Sequence, residues 1–239
     1  MKTELFRYFK NPLYWIVLSV GLSVRIVLAY FDLLHRSKDF WVLAADFWSR
    51  IGSVTVGFLI ILVLIHLFSS DRETETYPTI NSTVYGRIHL FQNRMIAGSV
   101  AAFFGTALLA VGNLAVSILF GRGLSRPQDW IYSFIQPPVV AIVGAIGFFI
   151  LAACVCDIFK NQPAAICICG APFAISYFVN VGAIEQFELF WFFRYGFFTE
   201  LMRGRLIYPA PMFWIMWYLL LLGGVLLIAI NKRKEHKEL

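Results

Sequence analysis

Few residues in this chain could carry chemistry, and Arg25 comes first. It is the lone charge in an apolar run covering residues 13–31. A cation inside such a run is costly and is a functional candidate by default. Phe31 lies only six residues further on. Snorkelling to the interface, or pairing with a loop acid, is therefore the simpler expectation. The four cysteines form two pairs, Cys154 with Cys156 and Cys167 with Cys169. Residues i and i+2 of a helix point to different faces, so neither pair makes a two-ligand site by itself. The pairs could meet across the turn at 157–163, but cysteine is also a common small buried residue, and that is the simpler reading. His35, His66, His89 and His236 are scattered, without the H-E-x-x-H spacing of a zinc helix. Ser117 and Ser125 lie near glycines, but no G-x-S-x-G elbow surrounds either. No G-x-x-x-x-G-K-[ST] loop occurs, so no lysine has the phosphate cradle that ATP hydrolysis by that route needs.

The densest polar chemistry lies in residues 69–94, SSDRETETYPTINSTVYGRIHLFQNR, between two apolar runs. Asp71, Glu73 and Glu75 open it, Tyr77-Pro78 interrupts it, and residues 79–85 can form one or two helical turns along a membrane surface. Gly86 then permits a sharp reversal before Arg87, and Arg94 closes the stretch. Taken alone, these residues suit a solvated loop whose charges set topology, which is what most polar loops between spans do. A short amphiphilic helix held between two membrane helices is also suited to pushing on both.

The surrounding composition dictates the elements. Of 239 residues, 59% are hydrophobic and 14% charged, well under the usual ~25% of soluble domains. An all-α membrane protein of one domain is expected, with six spans at about 13–31, 51–68, 95–120, 130–156, 164–184 and 211–230. The net charge of +6 needs no nucleic-acid partner, because the basic residues bracket the apolar runs. Residues 1–12 mix Leu5, Phe6, Tyr8 and Phe9 with Lys2, Arg7 and Lys10, as an interfacial helix would. No small-residue cleavage site follows Val24, so the first run reads as a retained span, and the closing HKEL lacks a prenylation cysteine. The segment 32–50 reads as a loop with interfacial aromatics, and Pro137 and Pro138 should break or kink the start of the fourth span. Gly98, Ala101, Ala102, Gly105 and Gly112 give the third span small residues at helical spacing, which permits close packing.

Between the last two spans, residues 185–210 combine many aromatics with six ionisable groups. Broken helices in the outer leaflet fit better there than a seventh span. Phe187, Trp191, Phe193, Arg194 and Phe197 could gate an exit or anchor the interface, and both uses are compatible. With both termini inside, inner segments hold eleven Lys and Arg against eight outside. The 69–94 stretch is then cytoplasmic.

This layout resembles the permease subunits of ABC-2-type transporters, in particular the compact Gram-positive kind that exports peptides, bacteriocins or drugs or gives self-immunity. Those chains often carry an acid after the second span, a Gly-Thr about five residues on, a short helix, and a Gly-Arg or Ser-Arg opening the third span. Here Asp71 matches the acid, Thr76 the Thr, residues 79–84 the short helix, and Gly86-Arg87 the closing pair. Glu75 stands where the family usually has Gly, and Asp71 replaces the commoner Glu. The resemblance implies a coupling helix docked on a separate ATPase subunit, with Asp71, Thr76, Tyr77, Thr79, Ile80, Thr83, Val84, Gly86 and Arg87 at that interface. It implies no catalysis and no cofactor in this chain, ATP and Mg in the partner, two copies of that ATPase, and a second permease chain in a bacterial plasma membrane. The cargo implied is an amphipathic peptide, bacteriocin, drug or lipid. A membrane-embedded sensor or assembly subunit using the same loop is the alternative. An ion channel is disfavoured, because uncharged spans leave few polar groups for a wet pore.

Overall fold

A computed structural model of the chain describes residues 5–6, 9–35, 38–73, 84–123 and 134–159, with isolated positions at 163, 166–167, 170–171, 222–224 and 226. At residues 49, 68–73, 84–90 and 158–159 it describes the backbone alone. These residues are almost entirely helical. In order they form α1 (Pro12–His35), α2 (Phe40–Phe47), a π-helical turn (Trp48–Gly52), α3 (Ser53–Glu73), α4 (Val84–Phe120) and α5 (Gln136–Phe159). Four stretches are long and apolar enough to cross a membrane: Pro12–His35, Phe40–Leu67, Phe91–Phe120 and Gln136–Asp157.

The helix ends follow from local chemistry. Asn11 caps α1, its Oδ1 accepting from the Leu13 amide at 3.0 Å, and Pro12 takes the first helical position, where its missing N–H costs nothing. Pro137 and Pro138 sit in the first turn of α5 for the same reason, so they start the fourth spanning helix instead of kinking it. Past Phe120 the chain turns on Gly123, whose φ of +80° is natural only for glycine, and the Arg122 amide donates to the Lys38 carbonyl at 3.2 Å.

The helices of the first three spans extend beyond their sequence positions. The expected loop at 32–50 is mostly helix, because α1 runs to His35 and α2 continues through the π turn into α3. Here the aromatics make core as well as interface: Phe47 and Trp48 are both buried and meet edge to face at 5.1 Å. They fold over Gly52, where a Cβ would stand 2.8 Å from the Phe47 ring. Spans five and six and the segment 185–210 lie almost wholly outside the described residues.

Close approach at small residues sets the packing. A Cβ on Gly98 would collide with the ring of Phe149, and one on Gly112 with Leu22. A Cβ on Gly105 would lie 2.8 Å from both the Tyr14 hydroxyl and Leu59. Ala101 and Ala102 are fully buried. The stripe expected on the third span is thus the seam along which α1, α3 and α5 meet α4. The pairs also give direction. Tyr14 donates to the Ala101 carbonyl at 2.9 Å, and Leu22 meets Gly112, so α1 and α4 run parallel. Leu59 meets Gly105 beside Tyr14 while Thr55 meets Gly21, and Phe149 meets Gly98 while Cys154 packs with Phe91, so α3 and α5 run antiparallel to α4. One end of the bundle, here the near end, holds Glu73 and Val84, and the far end holds His35, Phe40 and Phe120.

Candidate functional site

The buried face of α1 is a single stripe, Tyr14, Leu18, Gly21, Arg25 and Ala29, and Arg25 is its one charge. The helical period that carries Tyr14 and Leu18 into the bundle carries Arg25 in with them. Its side chain is 3% exposed, so it neither snorkels nor reaches a loop acid, which corrects the expectation above. Nε donates to Asn113 Oδ1 at 2.8 Å, and Nη2 donates to the Leu43 carbonyl at 2.8 Å and to Ser117 Oγ at 3.1 Å. The guanidinium also lies over the Phe47 ring, 5.7 Å from its centroid. Asn113 is fixed from both sides, since its Nδ2 donates to the Ala44 carbonyl at 2.9 Å. One cation therefore ties α1, α2 and α4 together through acceptors that are all neutral.

The polar partners are distinguishable from ordinary hydroxyls in apolar helices. Thr55 and Thr106 return their hydroxyls to the carbonyls of Ile51 and Ala102, four residues back. Asn113 and Ser117, one turn apart on α4, instead face Arg25. Sequence reasoning named Ser117 only to dismiss a hydrolase elbow and passed over Asn113. The available signal was an Asn and a Ser at i and i+4 in an apolar run, opposite a stray arginine.

Toward the far end a second set of charges follows. Lys38 Nζ lies 3.2 Å from Asp32 Oδ2 on α1 and makes a close ion pair with Asp46 on α2. Arg50 in the π turn reaches Asp46 at 3.7 Å with its own side chain half exposed. Among the described residues no carboxylate is within ion-pair distance of Arg25. Among the described residues no three His, Cys, Asp or Glu converge as metal ligands would. The arrangement holds Lys38 between Asp32 and Asp46 as a fixed salt link, and among the described residues no nucleophile stands beside a base.

The polar stretch 69–94 is shorter as a loop than its composition indicates. Asp71 lies on α3, and Val84, Gly86 and Arg87 lie in the first turns of α4. Gly86 is thus inside a continuous helix and makes no reversal, because a helical backbone closes its hydrogen bonds through that position. Thr76, Tyr77, Thr79, Ile80 and Thr83 lie outside the described residues, as do Phe187, Trp191, Phe193, Arg194 and Phe197. Asn93 is half buried and Arg94 is buried at the near end. Cys154 and Cys156 are buried in α5, Cys154 beside Phe91, and Cys167 is exposed.

Compared with known proteins, the chain matches no protein-family model, no curated protein and no solved structure.

Proposed function

We propose that the chain is the membrane-spanning permease subunit of an ATP-driven ABC-2-type exporter, with the near end in the cytoplasm of a bacterial cell. The observation that carries this reading is the overrun of two packed helices at one end. α3 continues to Glu73 past Ser69, Ser70 and Asp71, and α4 starts at Val84 and takes in Arg87, His89 and Arg94 before the uncharged run at 95–120 opens. At 37 residues α4 is about 55 Å long, against ~30 Å of hydrocarbon core. Ala101, the partner of Tyr14, lies 17 residues after Val84, so α4 reaches about 25 Å beyond the first turn of α1. Two stiff helices joined through residues 74–83 make a lever pair: a load applied to that connection moves both spans.

The load would come from an ATPase subunit closing on nucleotide and Mg, two copies serving two permease chains. The connection with Asp71, Val84, Gly86 and Arg87 at its ends would receive it. The broad apolar outer surface of the helices supports an amphipathic cargo such as a peptide, bacteriocin, drug or lipid. The test is a mild-detergent purification of the tagged chain co-expressed with its neighbouring genes. An ATPase should co-purify, and Arg87→Glu should release it without unfolding the spans. A chain that purifies alone, with no nucleotide hydrolysis, would overturn the exporter reading and favour a sensor or assembly subunit.

A further inference from the structure

The segment before α1 is strapped against the side of the bundle at the near end. Phe9 packs edge to face on Tyr14 of α1, with ring centroids 5.8 Å apart, and on Phe104 of α4 at 5.9 Å. Its carbonyl accepts from Trp15 Nε1 at 2.8 Å. Tyr14 is in turn bonded to the Ala101 carbonyl, so the strap is fixed to two helices, level with the first turn of α1. We propose that this strap is a docking surface for anionic phospholipid headgroups of the near leaflet, and that Lys10 takes the phosphate. The proposal holds whichever partner or cargo the chain has.

Three observations support it. The first is apolar. Phe6 is 63% exposed, and Leu13 and Trp15 are half exposed. Large side chains at the level where a spanning helix begins sit at the boundary between acyl chains and headgroups. The second is the position of a charge. Lys10 is exposed at the same level, and its ammonium lies 4.9 Å from the centroid of the Phe6 ring. The ring keeps the cation beside the apolar surface, at the height of the phosphates. The third is the partner that charge lacks. Lys38 and Arg50 at the far end both have carboxylates, but among the described residues no carboxylate is within ion-pair distance of Lys10. The sequence places Lys2 and Arg7 in the same segment, against one acid, Glu4. Cations in excess favour an anionic leaflet over a zwitterionic one.

Hydrogen exchange over residues 1–11 would test this, on the full chain in nanodiscs of phosphatidylcholine with and without phosphatidylglycerol. Exchange there reports the strap lifting from the surface. Each basic residue near an anionic surface shifts such an equilibrium by roughly fivefold. Phosphatidylglycerol should therefore slow exchange by at least about fivefold, and raised salt should remove most of the difference. Lys10→Gln alone should reduce the lipid effect more than Lys2→Gln does, and Lys2→Gln with Arg7→Gln and Lys10→Gln should abolish it. Phe9→Ala should speed exchange in both lipids and leave their ratio unchanged, which separates apolar anchoring from headgroup recognition. Unchanged exchange across α1 shows that each variant is folded. Equal exchange of the native chain in the two lipids overturns the proposal, and so does a lipid effect that survives the triple substitution. A full effect in Lys10→Gln overturns the role of Lys10.

Discussion

At the scale of single residues, Arg25 is worth less to stability than its partners are. It is buried and charged, and its hydrogen bonds offset a desolvation cost that an apolar side chain would not incur. Asn113→Leu takes away one of its three acceptors and the donor to Ala44, leaving a buried cation short of partners. That substitution should cost about 3 kcal/mol. Arg25→Met together with Asn113→Leu should cost less than Asn113→Leu alone, a non-additivity that thermal unfolding in detergent would read directly. A double variant that is the less stable of the two would show that the cation contributes net stability. The sequence marks Arg25 as unusual, because a lone charge in an apolar run is visible in one dimension. It does not mark the answer. The hydrogen-bonded partners lie 18, 88 and 92 positions further along the chain, and only the parallel packing of α1 on α4 brings the last two to it.

At the scale of elements, the helices were readable from the apolar runs and their ends were not. Hydropathy stops at the first charge, whereas a helix continues while its hydrogen bonds and packing allow. Hence α3 passes Asp71 and Arg72 to Glu73, and α4 takes in Gly86, Arg87 and His89 before the apolar stretch begins. The π turn had no readable signal, since it is set by burying both Phe47 and Trp48 against Gly52. The small-residue stripe was readable, and it makes a sharp prediction. Gly98→Ala places a methyl into the Phe149 ring between α4 and α5 and should cost about 1–3 kcal/mol. Among the described residues Gly224→Ala meets nothing within 4 Å, and it should change stability by less than about 0.5 kcal/mol. Equal melting temperatures for the two variants would mean that the α4–α5 seam is looser than described.

At the scale of the whole molecule, opposite ends of α4 should open to opposite sides of a bilayer. In a cysteine-free background, Arg87→Cys and Arg122→Cys should each react with a membrane-impermeant thiol reagent, from different faces of sealed vesicles. Reaction of both from one face would show that α4 does not cross. The parallel run of α1 and α4 has a further consequence, one of timing. Arg25 leaves the ribosome 88 residues ahead of Asn113. At typical synthesis rates that interval is roughly 4–18 s. Through that interval the first helix would enter the bilayer carrying a charge whose final partners do not yet exist, against an insertion cost of ~2.5–3.5 kcal/mol for a centrally placed arginine. The sixteen or so strongly apolar neighbours in α1 are then more than lipid-facing cover: they keep the nascent helix in place until α4 arrives to take up its arginine.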